Sequence, residues 1–280
     1  MTPEVRTWLG GQIRSRVVGP NTPRRDATHV DTGEHDGWFA PDAPIRRVHS
    51  DASMFIGGLR ALLLQSLHPL AMAGVAQHSD YRVDPWGRLQ RTADFLAATT
   101  FGTSAEAQQA VDRVHRVHIH VVGNAADGRP YSANDPHLLA WVHLAELDSF
   151  LAAHDRYGEI PLIGGERDHY VADWAIVARA LGVVDPPETE DDLRRHLRAF
   201  RPELRGTAEA RAAARYLLLQ PPLPLATRPA YGMLAGSAVA LMPAWTRLPL
   251  RLPFLPITET LALRPAGEAI TRTIRWALPV

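Results

Sequence analysis

Hydrophobic residues recur at intervals of three and four along most of the chain, which is the spacing of helices that bury one face. No alternation of apolar and polar residues runs long enough to indicate a strand. Helices are predicted over residues 6–17, 51–68, 86–101, 104–122, 135–157, 166–181, 190–200 and 207–219. A polar loop is predicted over 123–134 and a proline-rich turn over 220–229.

Several residues mark the ends of these helices. Pro69 is expected to interrupt or kink the apolar helix before it. Ser104 is expected to cap the helix that it begins. Asp135 and Pro136 supply a cap residue followed by a proline at the first helical position, and Gly158 is expected to end that helix.

The elements predict an all-α fold with a single helical domain. Residues 1–45 are expected to form an irregular arm, 46–250 the helical domain, and 251–280 an apolar extension packed on it. The longest apolar run, Ala230–Met242, is broken by glycine and serine and is shorter than the ~20 residues of a membrane span. No apolar segment follows a basic start, so we expect a cytoplasmic protein with at most peripheral membrane contact.

The composition removes several kinds of chemistry. The chain has 280 residues and no cysteine, which excludes thiolate catalysis, iron–sulfur clusters and cysteine-ligated haem or zinc. All 30 basic residues are arginine, so a Schiff-base or phosphate-loop lysine is excluded too. Because 30 acidic residues balance them, no binding of nucleic acid is expected. The 13 histidines are left as the candidates for metal and acid–base chemistry.

The first candidate is the histidine-rich end of the helix predicted over 104–122. On a helix, His118 shares the apolar face of Val111 and Val114, whereas His120 lies on the other side. His118 is therefore a candidate metal ligand, or alternatively a core histidine bonded to a backbone carbonyl. If the segment were a strand, His118 and His120 would share a face, as in a His-x-His metal site.

The second candidate is the pair His143 and Glu146, one helical turn apart on the apolar helix 135–157. The carboxylate could orient the imidazole ring, or both side chains could bind a metal. A surface ion pair is the alternative interpretation.

The third candidate is the group Arg88, Arg91 and Thr92, which share one helix face. Two neighbouring guanidinium groups repel each other unless an anion lies between them. A cofactor or substrate carboxylate, or Asp84, could supply that anion, and a solvated face is the alternative. His68, which precedes Pro69, is a fourth candidate for a cavity position, or else a capping histidine.

Five segments of the sequence resemble the catalytic-domain family of latex-clearing (rubber) oxygenases and MpaB-type oxygenases. They are GGLRALLLQSLHPLAMAGVAQHS (57–79), DPWGRLQRTA (84–93), TTFG (99–102), DGRPYSANDP (127–136) and LLAWVH (138–143). The resemblance extends over about residues 45–250 and implies an all-helical fold. It also implies a b-type haem that uses dioxygen to cleave an isoprenoid double bond.

The resemblance implies roles for individual residues. His118 matches the axial haem-ligand histidine of the family, and Arg88 and Thr92 match its distal-side arginine and threonine. Arg91 stands where the rubber oxygenases have a lysine that can ligate iron, which a guanidinium group cannot do. The catalytic glutamate of rubber cleavage has no counterpart in the block 68–77, so cleavage of the polymer by that route is not expected.

Together these observations predict a haem b oxidoreductase that oxidises a hydrophobic small molecule with O₂ or peroxide, with an electron donor as a further partner. His118 would be the iron ligand, and Arg88 and Arg91 would bind the propionates or stabilise negative charge on iron-bound oxygen. Thr92 would hydrogen-bond the distal ligand or a water, and His68 and His143 would line the pocket. Two alternatives stay open. One is a non-haem metal enzyme that uses His118, His120, His143 and Glu146, and the other is a non-catalytic haem or lipid carrier.

Overall fold

A computed structural model describes residues 6, 10, 11, 36–79 and 81–278. Helices dominate these residues, so the predicted all-α fold is confirmed. The helices are α1 Pro44–Ser50, α2 Met54–Gln65, α3 Pro69–His78, α4 Pro85–Phe101, α5 Ser104–His118, α6 Pro136–Tyr157, α7 Glu166–Ala180, α8 Glu190–Phe200, α9 Ala208–Leu219, α10 Arg228–Leu241, α11 Ala244–Leu250 and α12 Arg264–Ala277. Most of the predicted helix over 6–17 and most of the predicted arm fall outside the described residues.

Short helical turns connect the later helices. A 3₁₀ turn, Arg201–Glu203, follows α8, and another, Leu225–Thr227, precedes α10. A helical turn, Pro256–Thr258, and a π-helical turn, Glu259–Leu263, lead into α12. The predicted turn over 220–229 is thus partly helical, and α10 begins inside it at Arg228.

Local capping chemistry explains where two of the helices begin. The carboxylate of Asp135 accepts the backbone N–H of His137 at 2.9 Å, and α6 begins at the next residue, as predicted. The prediction for α5 is wrong by one residue, because Thr103 and not Ser104 is the cap. Thr103 Oγ1 accepts the N–H of Glu106 at 3.2 Å, and Glu106 Oε2 accepts the N–H of Thr103 at 3.0 Å, which completes a capping box.

The stretch predicted as a loop over 123–134 contains a small antiparallel hairpin. Strand β1, Val122–Asn124, pairs with β2, Pro130–Ser132, with Gly123 opposite Tyr131. Helix α5 accordingly ends at His118, before the predicted end near residue 122. Three-residue strands are too short to show an alternating pattern, and for this reason the sequence did not reveal them.

Pro69 separates α2 from α3, as predicted, and the axes of the two helices differ by 107°. Within the part of the chain that the structure describes, no single helix is long and apolar enough to cross a membrane. Helices α2 and α3 meet the length and composition criteria only as a bent pair.

The most extensive contact between helices joins α2 to α6. It is close because Gly57 on α2 leaves room for Phe150 and Ala153 on α6: a Cβ atom at Gly57 would lie 2.9 Å from Phe150 Cδ1 and 3.3 Å from Ala153 Cβ. Helix α10 packs against α2 and also contacts α6, and α12 packs against α10. The central helices α2 and α6 therefore define the core around which the others are placed.

The C-terminal region packs on this core through small apolar contacts and one buried ion pair. Ile270 and Ile274 of α12 pack against Ala52. Arg247 on α11 forms a buried ion pair with Glu259 of the π-helical turn. The ion pair holds the segment between α11 and α12 against the domain.

The close approach of α2 and α6 predicts opposite effects of the same substitution at two neighbouring glycines. Gly57→Ala should lower the free energy of unfolding by about 1–3 kcal/mol, because the added methyl group pushes against Phe150. Gly58→Ala meets nothing within 4 Å and should raise it by about 0.5–1 kcal/mol, because alanine loses less backbone entropy in a helix. Urea denaturation of both variants measures the two effects, and equal effects would contradict this packing.

Candidate functional site

The antiparallel pair α4 and α5 brings the predicted arginines and His118 to one end of the fold. The two helices are joined by Gly102 and Thr103 and pack along each other. Arg88 lies thirteen residues before the end of α4, and His118 lies fourteen residues after the start of α5. At 1.5 Å per residue, both lie about 20 Å from the connection, so they occupy the same level of the pair.

His118 ends α5 on the stripe of buried side chains that includes Ala107 and Val111. Its Nδ1 is buried and has no hydrogen-bond partner among the residues that the structure describes. Burial lowers the pKa of His118, the nearby His115 lowers it further, and the backbone carbonyl of Ala133 partly opposes them. The ring is therefore neutral at pH 7, which is the form in which imidazole binds a metal.

Arg88 turns towards the interior, where it lies near a carboxyl group. Its Nη1 donates to Ser79 Oγ at 2.7 Å, and its charge attracts Glu146 on α6. Glu146 Oε1 in turn accepts a hydrogen bond of 3.0 Å from Gln65 Nε2 on α2. Burial raises the pKa of Glu146 to about 7, and the contacts with Gln65 and Arg88 oppose this increase. Glu146 can therefore gain or lose a proton near neutral pH.

His49 and Tyr170 extend this group of polar residues between α1 and α7. His49 Nδ1 lies 2.8 Å from Thr100 Oγ1, and its ring meets Trp174 edge-on at 5.0 Å. Burial lowers the pKa of His49 to about 3, with a smaller effect from His154. Burial and the charge of Glu146 hold the pKa of Tyr170 well above its usual value.

His49 and Glu146 are surrounded by helices but are not sealed off. Both lie deep in the packing, yet part of the surface of each stays accessible to water. Sequence reasoning missed His49 and Tyr170 because they are 121 residues apart and belong to no recognisable motif.

Arg91 and Thr92 face away from Glu146. The Arg91 side chain is 68% exposed and lies 3.5 Å from the carboxylate of Asp84. Thr92 is exposed, and its hydroxyl donates to the backbone carbonyl of Arg88 at 3.1 Å. The repulsion expected between the two arginines is thus relieved because Arg88 points inward and Arg91 pairs with Asp84.

His143 is buried, but Glu146 does not orient it. Glu146 faces Gln65 on α2, whereas the His143 ring lies 5.6 Å from the ring of Trp174 on α7. The Nε2 of His143 is buried and has no hydrogen-bond partner within the described part of the chain. Burial together with His196 lowers the pKa of His143 to about 3. His143 also lines a cavity of about 400 Å³ between α6, α8 and the segment after α7.

The structure does not bring together the side chains predicted to bind a non-haem metal, which are His118, His120, His143 and Glu146. Within the described ranges, three potential ligand atoms converge to within 4.8 Å of one another at a different cluster. We call it the His–His–Glu cluster, and it consists of His68, His137 and Glu203. Helix geometry explains the difference, because residues three apart on α6 diverge towards different neighbouring helices.

Both ring nitrogens of His68 face protein groups. It caps α3, and its Nδ1 accepts the backbone N–H of Ala71 at 3.5 Å. Its Nε2 lies 3.3 Å from Glu203 Oε2. The interpretation of His68 as a capping histidine, left open by the sequence, agrees with this geometry.

A comparison with protein families agrees with the all-helical fold. The family model described as "ER-bound oxygenase mpaB/B'/Rubber oxygenase, catalytic domain" matches residues 46–276. This range contains His118, the arginine pair on α4, Glu146 and the His–His–Glu cluster. No curated protein and no solved structure matches the chain.

The buried carboxyl group of Glu146 predicts a particular dependence of stability on pH. Its pKa is about 7 in the folded protein against 4.5 for an unperturbed glutamate. Between pH 4.5 and pH 7, the folded state therefore holds a proton that the unfolded state has lost. The free energy of unfolding should therefore fall as pH rises from 4.5 to 7. For a pKa shift of this size, the decrease in the free energy of unfolding is on the order of 3 kcal/mol. The variant Glu146→Gln should not show this decrease.

Urea denaturation at a series of pH values from 5 to 8 measures this difference. Glu159→Gln is the matched control, since the side chain of Glu159 is 71% exposed, and it should keep the wild-type profile. Parallel profiles for wild type and Glu146→Gln would show that Glu146 does not carry the raised pKa.

Proposed function

The chain belongs to the family of oxygenase catalytic domains that includes the mpaB/B′ and rubber oxygenases, and we propose that it is a haem b-dependent oxygenase acting on a hydrophobic small molecule. The observation that carries the proposal is His118. It is a neutral histidine with a buried, unpartnered nitrogen, and it lies on α5 at the level of Arg88 on α4.

The chemistry of these side chains fits a haem. A chain without cysteine cannot hold the iron through a thiolate, and neutral imidazole is a common axial ligand of haem. The carbonyl of Ala133 near the His118 ring can fix its orientation, as second-shell groups do for metal-bound histidines. In this proposal Arg91, exposed on α4, supplies positive charge for a carboxylate group such as a haem propionate, whereas the charge of Arg88 is directed to the interior near Glu146. When bound, haem activates O₂ or peroxide for oxidation of a substrate.

Glu146 is the acid–base group of the proposed mechanism. A carboxyl group with a pKa near 7 both donates and accepts protons at neutral pH, which suits general acid–base catalysis. Gln65 holds the carboxyl group in place from α2, and the positive charge of Arg88 stabilises its ionised form. The catalytic glutamate of the rubber oxygenases has no counterpart in residues 68–77, and in this proposal Glu146 on α6 supplies that carboxyl group.

The surroundings of the site favour an apolar substrate. Phe150 and Trp174 pack around His49, and the helices that enclose Glu146 are lined with buried aromatic and aliphatic side chains. Gln65 and Arg88 are polar groups that reach Glu146 within this apolar interior. This is the usual composition of a site for a hydrophobic molecule that reacts at one position. We include O₂ or peroxide and an electron donor as partners in this proposal.

Removal of the His118 ring should weaken haem binding and change the haem spectrum. Titration of the purified protein with haemin should give a Soret band at one equivalent, and His118→Ala should bind at least about tenfold more weakly with a changed spectrum. His120→Ala is the control, since His120 is exposed two residues further along the chain and should leave the spectrum unchanged. Full haem binding with an unaltered spectrum in His118→Ala would refute the assignment.

The role of Glu146 predicts a loss of turnover without a loss of haem. We expect the haem-loaded protein to consume O₂ with farnesol as the probe for a hydrophobic isoprenoid. Glu146→Gln should lower kcat by about 10²-fold or more, since glutamine cannot exchange a proton. Glu159→Gln should retain wild-type kcat. Equal rates in wild type and Glu146→Gln would rule out the acid–base role, and a lack of uptake by the wild type would argue against an isoprenoid substrate.

A further inference from the structure

The His–His–Glu cluster lies where three separate elements meet. His68 caps α3, His137 lies in the first turn of α6, and Glu203 ends the 3₁₀ turn after α8. Both imidazole Nε2 atoms point at the same carboxylate: His137 Nε2 lies 2.9 Å from Glu203 Oε2 and 3.0 Å from Oε1, and His68 Nε2 lies 3.3 Å from Oε2. The three side chains thus converge from positions far apart in the sequence.

Aromatic packing fixes the two rings. His68 is 1% exposed and has the rings of Trp141 and Phe200 at 6.4 and 6.3 Å. His137 is half-exposed and stacks on Phe200 at 4.5 Å. Because the rings are held before any ligand binds, the nitrogens are already directed to one point.

We propose that the His–His–Glu cluster is a binding site for a divalent transition-metal ion, separate from the proposed haem site. Two imidazoles and one carboxylate are the protein ligands of many catalytic zinc sites and of non-haem iron(II) sites. Both kinds of site leave coordination positions open for water or another ligand. The donor set includes a single carboxylate, so Mg²⁺ and Ca²⁺, which prefer oxygen ligands, are not expected to bind.

Metal binding requires a change of protonation that the surroundings of His68 permit. A metal ion at Nε2 of His68 takes the place of the proton that Nε2 shares with Glu203. The neutral ring then carries its proton on Nδ1. The bond lost is the one from the Ala71 N–H to Nδ1, which at 3.5 Å is at the outer limit of a hydrogen bond. The negative charge of Glu203 then compensates for the charge of the ion.

The cluster also borders the cavity of about 400 Å³ beside α6 and α8. His137 and Phe200 line this cavity, and so does His143 with its unpartnered Nε2. A molecule in the cavity would therefore be adjacent to the metal ligand His137. This placement favours a metal site that an external ligand can reach, and not a structural metal site that is closed on all sides.

Calorimetric titration of the tag-free, EDTA-treated full chain with ZnCl₂ tests the proposal. We expect one high-affinity Zn²⁺ per chain, a parallel result with Fe²⁺ under anaerobic conditions, and no binding of Mg²⁺. His137→Ala and Glu203→Gln should each weaken Zn²⁺ binding by about tenfold or more. Both side chains are partly exposed, so the variants should fold, and circular dichroism of each variant verifies this.

Two control variants separate this cluster from the histidines at the end of α5. His120→Ala removes an exposed histidine there, and loss of Zn²⁺ binding in that variant alone would identify adventitious chelation and overturn the proposal. His118→Ala should bind haem more weakly and keep its Zn²⁺ affinity, so the failure of one site is distinguishable from the failure of the other. Unchanged Zn²⁺ affinity in folded His137→Ala and Glu203→Gln would reduce the cluster to a hydrogen-bonded contact between helices.

Discussion

The close contact between α2 and α6 determines where the polar interior of this protein lies. At one end of the contact, the missing side chain of Gly57 lets Phe150 reach the backbone of α2. At the other end, Trp141 Nε1 donates to the backbone carbonyl of Gln65 at 3.1 Å, and the Gln65 side chain donates to Glu146. The same packing that excludes water from the centre therefore positions the carboxyl group whose pKa it raises.

A buried arginine fixes the relative position of these helices along their axes. Arg60 on α2 is 3% exposed, and its guanidinium group donates to Asp148 at 2.6 Å, to Ser149 at 2.7 Å and to the backbone carbonyl of Leu241 at 3.0 Å. A buried charge is costly unless it is fully paired, so a shift of one helix along another would leave Arg60 without partners. Apolar packing alone tolerates such shifts more easily, and Arg60 thus fixes how the helices are aligned along their axes.

Features set by neighbouring residues were predictable from the sequence, and features set by distant partners were not. Asp135 and Pro136 determine the start of α6 within a single turn, so that boundary was predicted correctly. The capping box at Thr103 is also local, but Ser104 beside it is an equally good cap residue by type. The candidates His118, Arg88 and Glu146 were found because of their residue types and the family resemblance.

The partners of the candidate residues depend on the tertiary fold. Gln65 is 81 residues from Glu146, and Glu203 is 135 residues from His68. The spacing of His143 and Glu146 indicated a functional pair, yet neighbouring helices draw the two side chains apart. Helical periodicity predicts which side chains share a face, but it does not predict which helix packs against each part of that face. Desolvation follows from that packing, and it is the largest cause of the pKa changes at His118, His143 and Glu146. The chemistry of this interior, with neutral imidazoles and a carboxyl group that titrates near pH 7, is thus a property of the assembled helices.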